Sequence, residues 1–305
     1  MYKFPIEIWL QIFQLACTDG GSTGRAISRV SRFFHEVSKE VRLQSITVVG
    51  VPQIVACALM LERTPPNFRR VRHLFVSNCL ETPFRRTRTF PTSSRGFWEI
   101  DTGACEAFIQ ILKLVAPTLQ TFYLVSNIPR TCILLPVSLP KVVQMTLQGP
   151  IPPANHPRCE THAFPSLRRL QLLSFTDYPM DIFESITLRA PSLTHLYLSL
   201  THASRHLHSD LTQALTNTSP HTSSDTLPFG IFPTTLKRIY IHPGPSPMIG
   251  QGVWVNFAHQ FMMKNFADVA NFDQRVVIVE ATPVCKHHEA MAKWLQGDSD
   301  FFPLV

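Results

Sequence analysis

The chain has few charged residues and little glycine. Of its 305 residues, 16% are Asp, Glu, Lys or Arg and only 12 are glycine, whereas 25 are proline. Soluble domains usually carry about a quarter charged residues. Because 45% of the residues are hydrophobic, a disordered chain is excluded. Few charges and many prolines indicate short elements with abrupt ends, and a surface partly covered by neighbouring repeats or by partners.

Long apolar runs and paired cysteines are also lacking. The longest apolar run, residues 51–61, is interrupted by Gln53 and falls short of the roughly 20 residues of a membrane span. The seven cysteines form no C-x-x-C pair, which indicates reduced thiols packed as small apolar side chains. Glu7 interrupts what would be the apolar core of a signal peptide. We therefore expect no membrane association, and a location in the cytoplasm, the nucleus or both.

The formal net charge of +7 is unevenly distributed. Between Glu62 and Arg95 there are eight arginines and two acidic residues. Such a stretch can attract nucleic acid, acidic lipid or an acidic protein segment. Because no zinc-finger spacing and no basic helix accompanies it, we interpret it as a solvated loop rather than as a nucleic-acid-binding element.

Patterns typical of catalysis or metal binding are incomplete. Gly20–Gly24 reads G-x-S-x-G, but a nucleophile elbow follows a strand and this motif follows a helical stripe, which indicates a flexible loop. Three groups have some metal-binding residue types without a complete four-ligand spacing: His156, Cys159 and His162; His202, His206 and His208; Cys285, His287 and His288. We predict no catalytic residue, no metal and no cofactor.

The first 45 or so residues form an apolar helical module. Pro5 and Glu7 suit a first helical turn. Ile8, Ile12 and Leu15 follow at helical spacing, and a second stretch of helical spacing covers residues 25–41. The module is too small to bury all of its apolar side chains, which predicts an interface.

This module resembles an F-box. The family pattern begins Leu-Pro-x-Glu, continues through an Ile-Phe pair and ends in a Val-x-(Lys/Arg)-aromatic block. The chain has Phe4-Pro5-Ile6-Glu7, Ile12-Phe13 and Val30-Ser31-Arg32-Phe33-Phe34. Phe4 replaces the usual Leu, and Phe33 stands where Trp is common. The break at residues 16–25 and the segment at residues 41–46 resemble the F-box-like proteins abundant in mushroom-forming fungi.

The resemblance implies that the module binds the Skp-type adaptor of a cullin–RING ubiquitin ligase, while the rest of the chain holds a protein substrate. The adaptor-facing residues that it implies are Phe4, Pro5, Ile8, Ile12, Phe13, Ile27, Val30 and Phe33.

A pattern L-x-x-L-x-L-x-x-(N/C) recurs after the module, most completely at residues 119–127 and 71–79. Its central apolar positions at 122, 145, 170 and 196 are spaced 23, 25 and 26 residues, as in leucine-rich repeats. The gap between Leu74 and Phe122 holds two such periods, and Trp98 with Ile100 falls at the missing position.

We therefore predict an α/β chain: an F-box-like helical module at residues 1–42, then an irregular leucine-rich-repeat solenoid with a parallel sheet at 43–305. An insertion loop is expected at about 202–230, with some helix at 210–215. A cap is expected at about 250–305, with a last strand at 276–279. Substrate contacts are predicted at the strand positions that point away from the core: His73, Phe75, Ser77, Thr121, Tyr123, Gln144, Thr146, Arg169, Gln171, His195, Tyr197, Arg238 and Tyr240.

The predicted function is a non-enzymatic substrate receptor of an SCF-type ubiquitin ligase, with the Skp-type adaptor, the cullin bound through it and a protein substrate as partners. The alternative is a leucine-rich-repeat scaffold without a ligase link, whose N-terminal helices only cap the array. If the apolar side chains of residues 4–34 all pack against the first repeat, the scaffold is favoured.

Overall fold

The computed structural model describes residues 4–78, 102–125, 137–148, 163–175, 182–200, 206–216, 232–247, 252–280 and 287–295. These residues form α-helices and parallel β-strands that divide between two compact units. One unit is Met1–Pro129 with His287–Asp298, and the other is Arg130–Lys286 with Ser299–Val305. The α/β class and the parallel pairing of the strands are confirmed.

The first unit begins with three short α-helices and continues with three strands, three more α-helices and a 3-10 helix (Pro66–Phe68) in its described residues. In chain order these are α1 (Ile6–Ala16), α2 (Ser22–Val30), α3 (Arg32–Ser38), β1 (Ser45–Val49), α4 (Val51–Arg63), β2 (His73–Ser77), α5 (Thr102–Val115), β3 (Thr121–Val125) and α9 (His287–Leu295). The predicted boundary at residue 42 falls inside this unit, between α3 and β1.

Residues 25–41 contain a break between two helices rather than one continuous helix. Ser31 has extended backbone angles (φ −161°, ψ 165°), and its hydroxyl accepts a hydrogen bond from the Phe34 N–H at 3.2 Å. A serine in this position is a favourable N-cap, because it satisfies one of the unpaired N–H groups of the first turn. Ser31 therefore ends α2 and starts α3.

The three strands of the first unit are parallel and in register. Ile46 on β1 pairs with Leu74 on β2, which pairs with Phe122 on β3. The expectation of another strand between Leu74 and Phe122 is wrong, because β2 pairs directly with β3. Trp98, on which that expectation depended, lies outside the described residues.

The second unit has five parallel strands and three helices among its described residues. They are β4 (Gln144–Gln148), β5 (Arg169–Phe175), α6 (Ile182–Arg189), β6 (His195–Leu200), α7 (Leu207–Thr216), β7 (Arg238–His242), α8 (Val253–Phe272) and β8 (Val276–Ile278). The helix expected at 210–215 is confirmed as α7; the rest of the predicted insertion loop lies almost entirely outside the described residues.

The periodic apolar positions align across the strands of the second unit. Met145, Leu170, Leu196 and Ile239 are consecutive partners, and Ile239 pairs with Val276. All five are buried. Burying one large apolar side chain contributes about 1.5–3 kcal/mol. A one-residue shift of any one strand would turn all of its core-facing side chains to the other face of the sheet, which fixes the register.

Candidate interaction surfaces

An exposed apolar stripe runs along α1. Ile8, Ile12 and Leu15 lie at positions i, i+4 and i+7, which share one face of a helix, and are 40%, 45% and 80% exposed. A second apolar face of α1 centres on Phe13, which is 4% exposed and forms the module core with Val37 and Val41. The helix is therefore apolar on two faces, of which the module buries only one.

The predicted adaptor-facing residues fall into two groups. Phe4, Pro5, Ile8, Ile12 and Val30 are exposed. Phe13, Ile27 and Phe33 belong instead to the core of the module or pack against it.

Phe13 lies in the core because of helical geometry. Its ring centroid is 5.3 Å from that of Phe34, with the rings nearly perpendicular, and 5.8 Å from that of Trp9. One residue along a helix turns the side chain by about 100°. The adjacent residues Ile12 and Phe13 therefore point to solvent and to the core, respectively, and Phe13 is not available for an adaptor contact on the exposed stripe.

The turn after α1 is tied to β1 by its backbone. The Gly20 N–H donates to the Ser45 hydroxyl at 3.0 Å, and the Thr47 N–H donates to the Gly20 carbonyl at 3.1 Å. Gly20 and Gly21 have φ values of 72° and 98°, which other residues rarely adopt. The expected flexible loop is thus a hydrogen-bonded turn that joins the helical module to the sheet.

The Asp19 carboxylate holds the start of α2. It accepts hydrogen bonds from the Ser22 hydroxyl, and from the Thr23 N–H and hydroxyl at 3.0 and 2.6 Å. Partial burial opposes ionisation of Asp19, but these hydrogen bonds outweigh it and lower the pKa of the carboxyl. Ser22 follows a helix rather than a strand and donates to a carboxylate, so it does not have the geometry of a nucleophile elbow.

Much of the strand face predicted to bind substrate is buried. Phe75, Ser77, Tyr123, Thr146, Gln171, Tyr197 and Tyr240 are buried; His73, Thr121, Gln144, Arg169 and His195 are half-buried; Arg238 is exposed. The expectation of an open face is wrong for the first group. Sequence alternation shows which residues point away from the helix-facing core, but does not show whether another segment covers them.

In the first unit, the covering segment is α9. The Phe75 ring stacks on Tyr123 at 5.0 Å and meets Trp294 of α9 at 5.6 Å, between ring centroids. Leu295 also lies close to Gly20, within 3.3 Å of where a Cβ would stand. The C-terminal helix, predicted as part of a cap, therefore packs on the face of β2 and beside the turn that follows α1.

In the second unit, basic side chains lie at the starts of three strands and are exposed or half-buried. Arg169, His195 and Arg238 are partners in register at the starts of β5, β6 and β7, and Lys237 precedes Arg238. The His195 ring is parallel to Tyr240 at 6.4 Å, and its Nδ1 lies 2.9 Å from the Thr194 hydroxyl. Desolvation and the neighbouring cations lower the pKa of His195.

An additional exposed apolar patch lies on α8. Val253, Trp254, Phe257 and Phe261 are exposed, with Trp254 at 83%. The opposite face of α8 buries Met262, Phe266 and Val269. The helical spacing of the apolar residues in α8 predicts a helix with two apolar faces, but does not show which of the two faces is buried.

The predicted metal-ligand groups are only partly within the described residues. His156, Cys159, His162, His202 and Cys285 lie outside them. The His208 Nε2 is 3.3 Å from the Asn265 side-chain nitrogen, and its ring meets Phe261 edge to face. Among the residues described, no three His, Cys, Asp or Glu side chains cluster as ligands.

The described part of the arginine-rich stretch supports the local fold. Arg69 donates to the carbonyls of Thr64 and Glu62 at the end of α4, and Arg70 pairs with Glu40 at 2.7 Å. The remaining residues of the stretch, from 79 onward, lie outside the description. None of the described helices combines the length and the hydropathy that a membrane span requires.

Comparison with known proteins gives no relative: no family model, no curated protein and no solved structure matches the chain.

Proposed function

We propose that this protein is a non-catalytic substrate receptor of a cullin–RING ubiquitin ligase, an F-box-like protein with degenerate leucine-rich repeats. In this proposal the helical module binds a Skp-type adaptor through the exposed α1 stripe, and the remaining chain holds a protein substrate. The observation that carries the proposal is the apolar stripe of Ile8, Ile12 and Leu15, which the chain itself leaves uncovered.

The stripe is arranged like the apolar face of a helix that binds in a groove of its partner. Such helices present anchors at i, i+4 and i+7 to the partner, which is the spacing of these three residues. Full burial of a large apolar side chain contributes about 1.5–3 kcal/mol. Leu15, at 80% exposure, can gain most of this on binding, whereas Ile8 and Ile12 are already more than half buried and gain less.

The scaffold alternative expects the apolar residues of the module to pack against the first strands. Instead, the turn after α1 reaches β1 through backbone and hydroxyl hydrogen bonds at Gly20, Ser45 and Thr47. The stripe side chains stay exposed while this junction forms. An N-terminal cap would not need an apolar surface on its outer side, so the exposed stripe favours a partner-binding module.

The experiment is capture of the full chain on a co-expressed Skp-type adaptor. Ile12→Ser/Leu15→Ser removes two stripe side chains. Trp254→Ser/Phe257→Ser is the matched control, because it removes two exposed apolar side chains from α8. Truncating core interface residues often costs about 2 kcal/mol or more, roughly 30-fold in affinity. We expect that loss for the stripe variant and wild-type capture for the control.

Two results would count against the proposal. If the folded wild-type chain does not bind the adaptor, the ligase link is wrong and the scaffold becomes the favoured function. If both double variants lose capture equally, the binding is non-specific hydrophobic adsorption. Circular dichroism of each variant is the check that the fold is retained.

A further inference from the structure

The starts of β5, β6 and β7 bring together four basic side chains in the second unit. Arg169 pairs with His195, His195 pairs with Arg238, and Lys237 stands next to Arg238. We call Arg169, His195, Lys237 and Arg238 the basic row. Lys237 and Arg238 are exposed, and Arg169 and His195 are half-buried.

We propose that the basic row binds an acidic segment of a protein substrate, one that carries carboxylate or phosphate side chains. This inference rests on the proposed function and assigns the chemical class of the substrate. Neighbouring strands are about 4.8 Å apart, so the paired side chains of three strands span about 10 Å. A short extended segment with successive acidic side chains can meet all of them.

The electrostatic surroundings of the row are cationic. Besides desolvation, the charges that depress the pKa of His195 are those of Arg169, Lys237 and Arg238. The acidic residue on the β8 side, Asp273, is already bound by Arg275, whose Nη2 and Nε lie 2.7 and 3.1 Å from its Oδ2. The three cations of the row, of which Lys237 and Arg238 are exposed, give this surface a positive field that attracts an anionic partner.

Parts of the row are held in position. The Arg238 Nη1 donates to the Gln274 carbonyl at 2.7 Å, which uses one of the five N–H donors of a guanidinium. The ring of His195 is fixed by the Thr194 hydroxyl and by the parallel ring of Tyr240. Such anchoring lowers the entropy lost when a ligand binds.

An acidic protein segment fits this surface better than nucleic acid. Single-stranded nucleic acid is bound by basic grooves that also offer aromatic rings for base stacking. The aromatic rings beside the row, Tyr197 and Tyr240, are buried. The row offers charge and hydrogen-bond donors, which suit carboxylates and phosphates.

The test uses the full chain and fluorescence anisotropy with labelled peptides. The probes are a short peptide of alternating Glu and Ser, the same peptide with Gln for Glu and phosphoserine for Ser, and a neutral Gln–Ser peptide. The variants are Arg169→Gln/Arg238→Gln and, because Arg169 is half-buried, the exposed pair Lys237→Gln/Arg238→Gln. The control is Arg63→Gln/Lys264→Gln, which removes two exposed charges from helices.

We expect both acidic probes, or one of them, to bind the wild-type chain, more weakly at high salt, and the neutral peptide not to bind. Exposed ion pairs contribute up to about 1 kcal/mol each, so each row variant should lose about tenfold in affinity while the control keeps wild-type binding. Preference for one acidic probe identifies carboxylate or phosphate as the recognised group.

Three results would overturn the inference. They are no binding of either acidic peptide, equal losses in row and control variants, or tighter row-dependent binding of a single-stranded oligonucleotide. Adaptor capture of the wild-type chain and of the same row variants distinguishes the two proposals. If these chains are captured normally but the wild type binds neither acidic peptide, only the basic row is wrong. If the wild type binds an acidic peptide but is not captured by the adaptor, only the ligase link is wrong.

Discussion

Phe13 and Leu15 lie two residues apart on α1, and we expect opposite results when each is truncated to alanine. Phe13 is 4% exposed and packs edge to face on Phe34 and against Trp9. Leu15 is 80% exposed. The first substitution removes the centre of the module core, and the second removes only surface that the isolated chain leaves in water.

The magnitudes follow from burial. Truncation of a buried Phe to Ala costs about 3–5 kcal/mol, because transfer free energy is lost and a cavity remains. Alanine regains about 0.5 kcal/mol of helix propensity, so we expect a loss of about 3 kcal/mol for Phe13→Ala. Exposed substitutions usually stay within about 0.5 kcal/mol, which is the expectation for Leu15→Ala.

Hydrogen exchange is the primary assay, because the chain has two compact units and global unfolding need not be a single transition. Amides of α1–α3 should lose protection in Phe13→Ala and keep it in Leu15→Ala, while urea unfolding followed by circular dichroism gives the size of the change. Adaptor capture should be weakened by Leu15→Ala although the module stays folded, which distinguishes a lost contact from a lost fold. Unchanged protection in Phe13→Ala would refute the assignment of this side chain to the core.

Three more predictions concern single side chains. Trp294→Ala removes the α9 ring from Phe75 and should lower the free energy of unfolding by about 2 kcal/mol, less than a full core truncation because Trp294 is half-buried. The exposed control Trp254→Ala should leave the midpoint of thermal unfolding nearly unchanged. Equal shifts of the midpoint in both variants would contradict the packing of α9. Asp19→Ala should destabilise by about 1 kcal/mol at neutral pH. Since the folded-state pKa of Asp19 is lowered, its contribution exists above its unfolded pKa of about 3.9 and is lost as the pH falls through the folded value, so wild type and variant should converge in acid unfolding curves. Burial raises the pKa of the Cys57 thiol to about 11, so peptide mass spectrometry should find it unalkylated in the native chain at about pH 8 and alkylated in urea; native alkylation would show that α4 is not packed as described.

The positions of most strands along the chain could be predicted, because each parallel strand carries apolar residues at a regular spacing in the sequence. The apolar positions Phe122, Met145, Leu170 and Leu196 can be recognised from spacing alone, and each is the second residue of its strand. The prediction failed between Leu74 and Phe122, where the spacing of two repeats suggested an additional strand. The structure has a single crossover connection there, because β2 pairs directly with β3.

The sequence predicts on which side of a helix or strand a residue lies, but not whether that side is exposed. A 3.6-residue period places Ile12 and Phe13 on different sides of α1, but does not say which side faces water, because both sides are apolar. Likewise, alternation puts Phe75 and Arg238 on strand positions of one kind, although one is buried and the other exposed.

Local chemistry along the chain thus determined the helices, the strand phase and the apolar surplus of the N-terminal module, because these depend on side-chain spacing over a few residues. Which apolar faces stay uncovered was decided only by tertiary structure. Trp294 covers Phe75 from more than two hundred residues away, and Arg169, His195 and Arg238 become one row only when β5, β6 and β7 pair. Contacts between distant segments leave no periodic signal in the sequence.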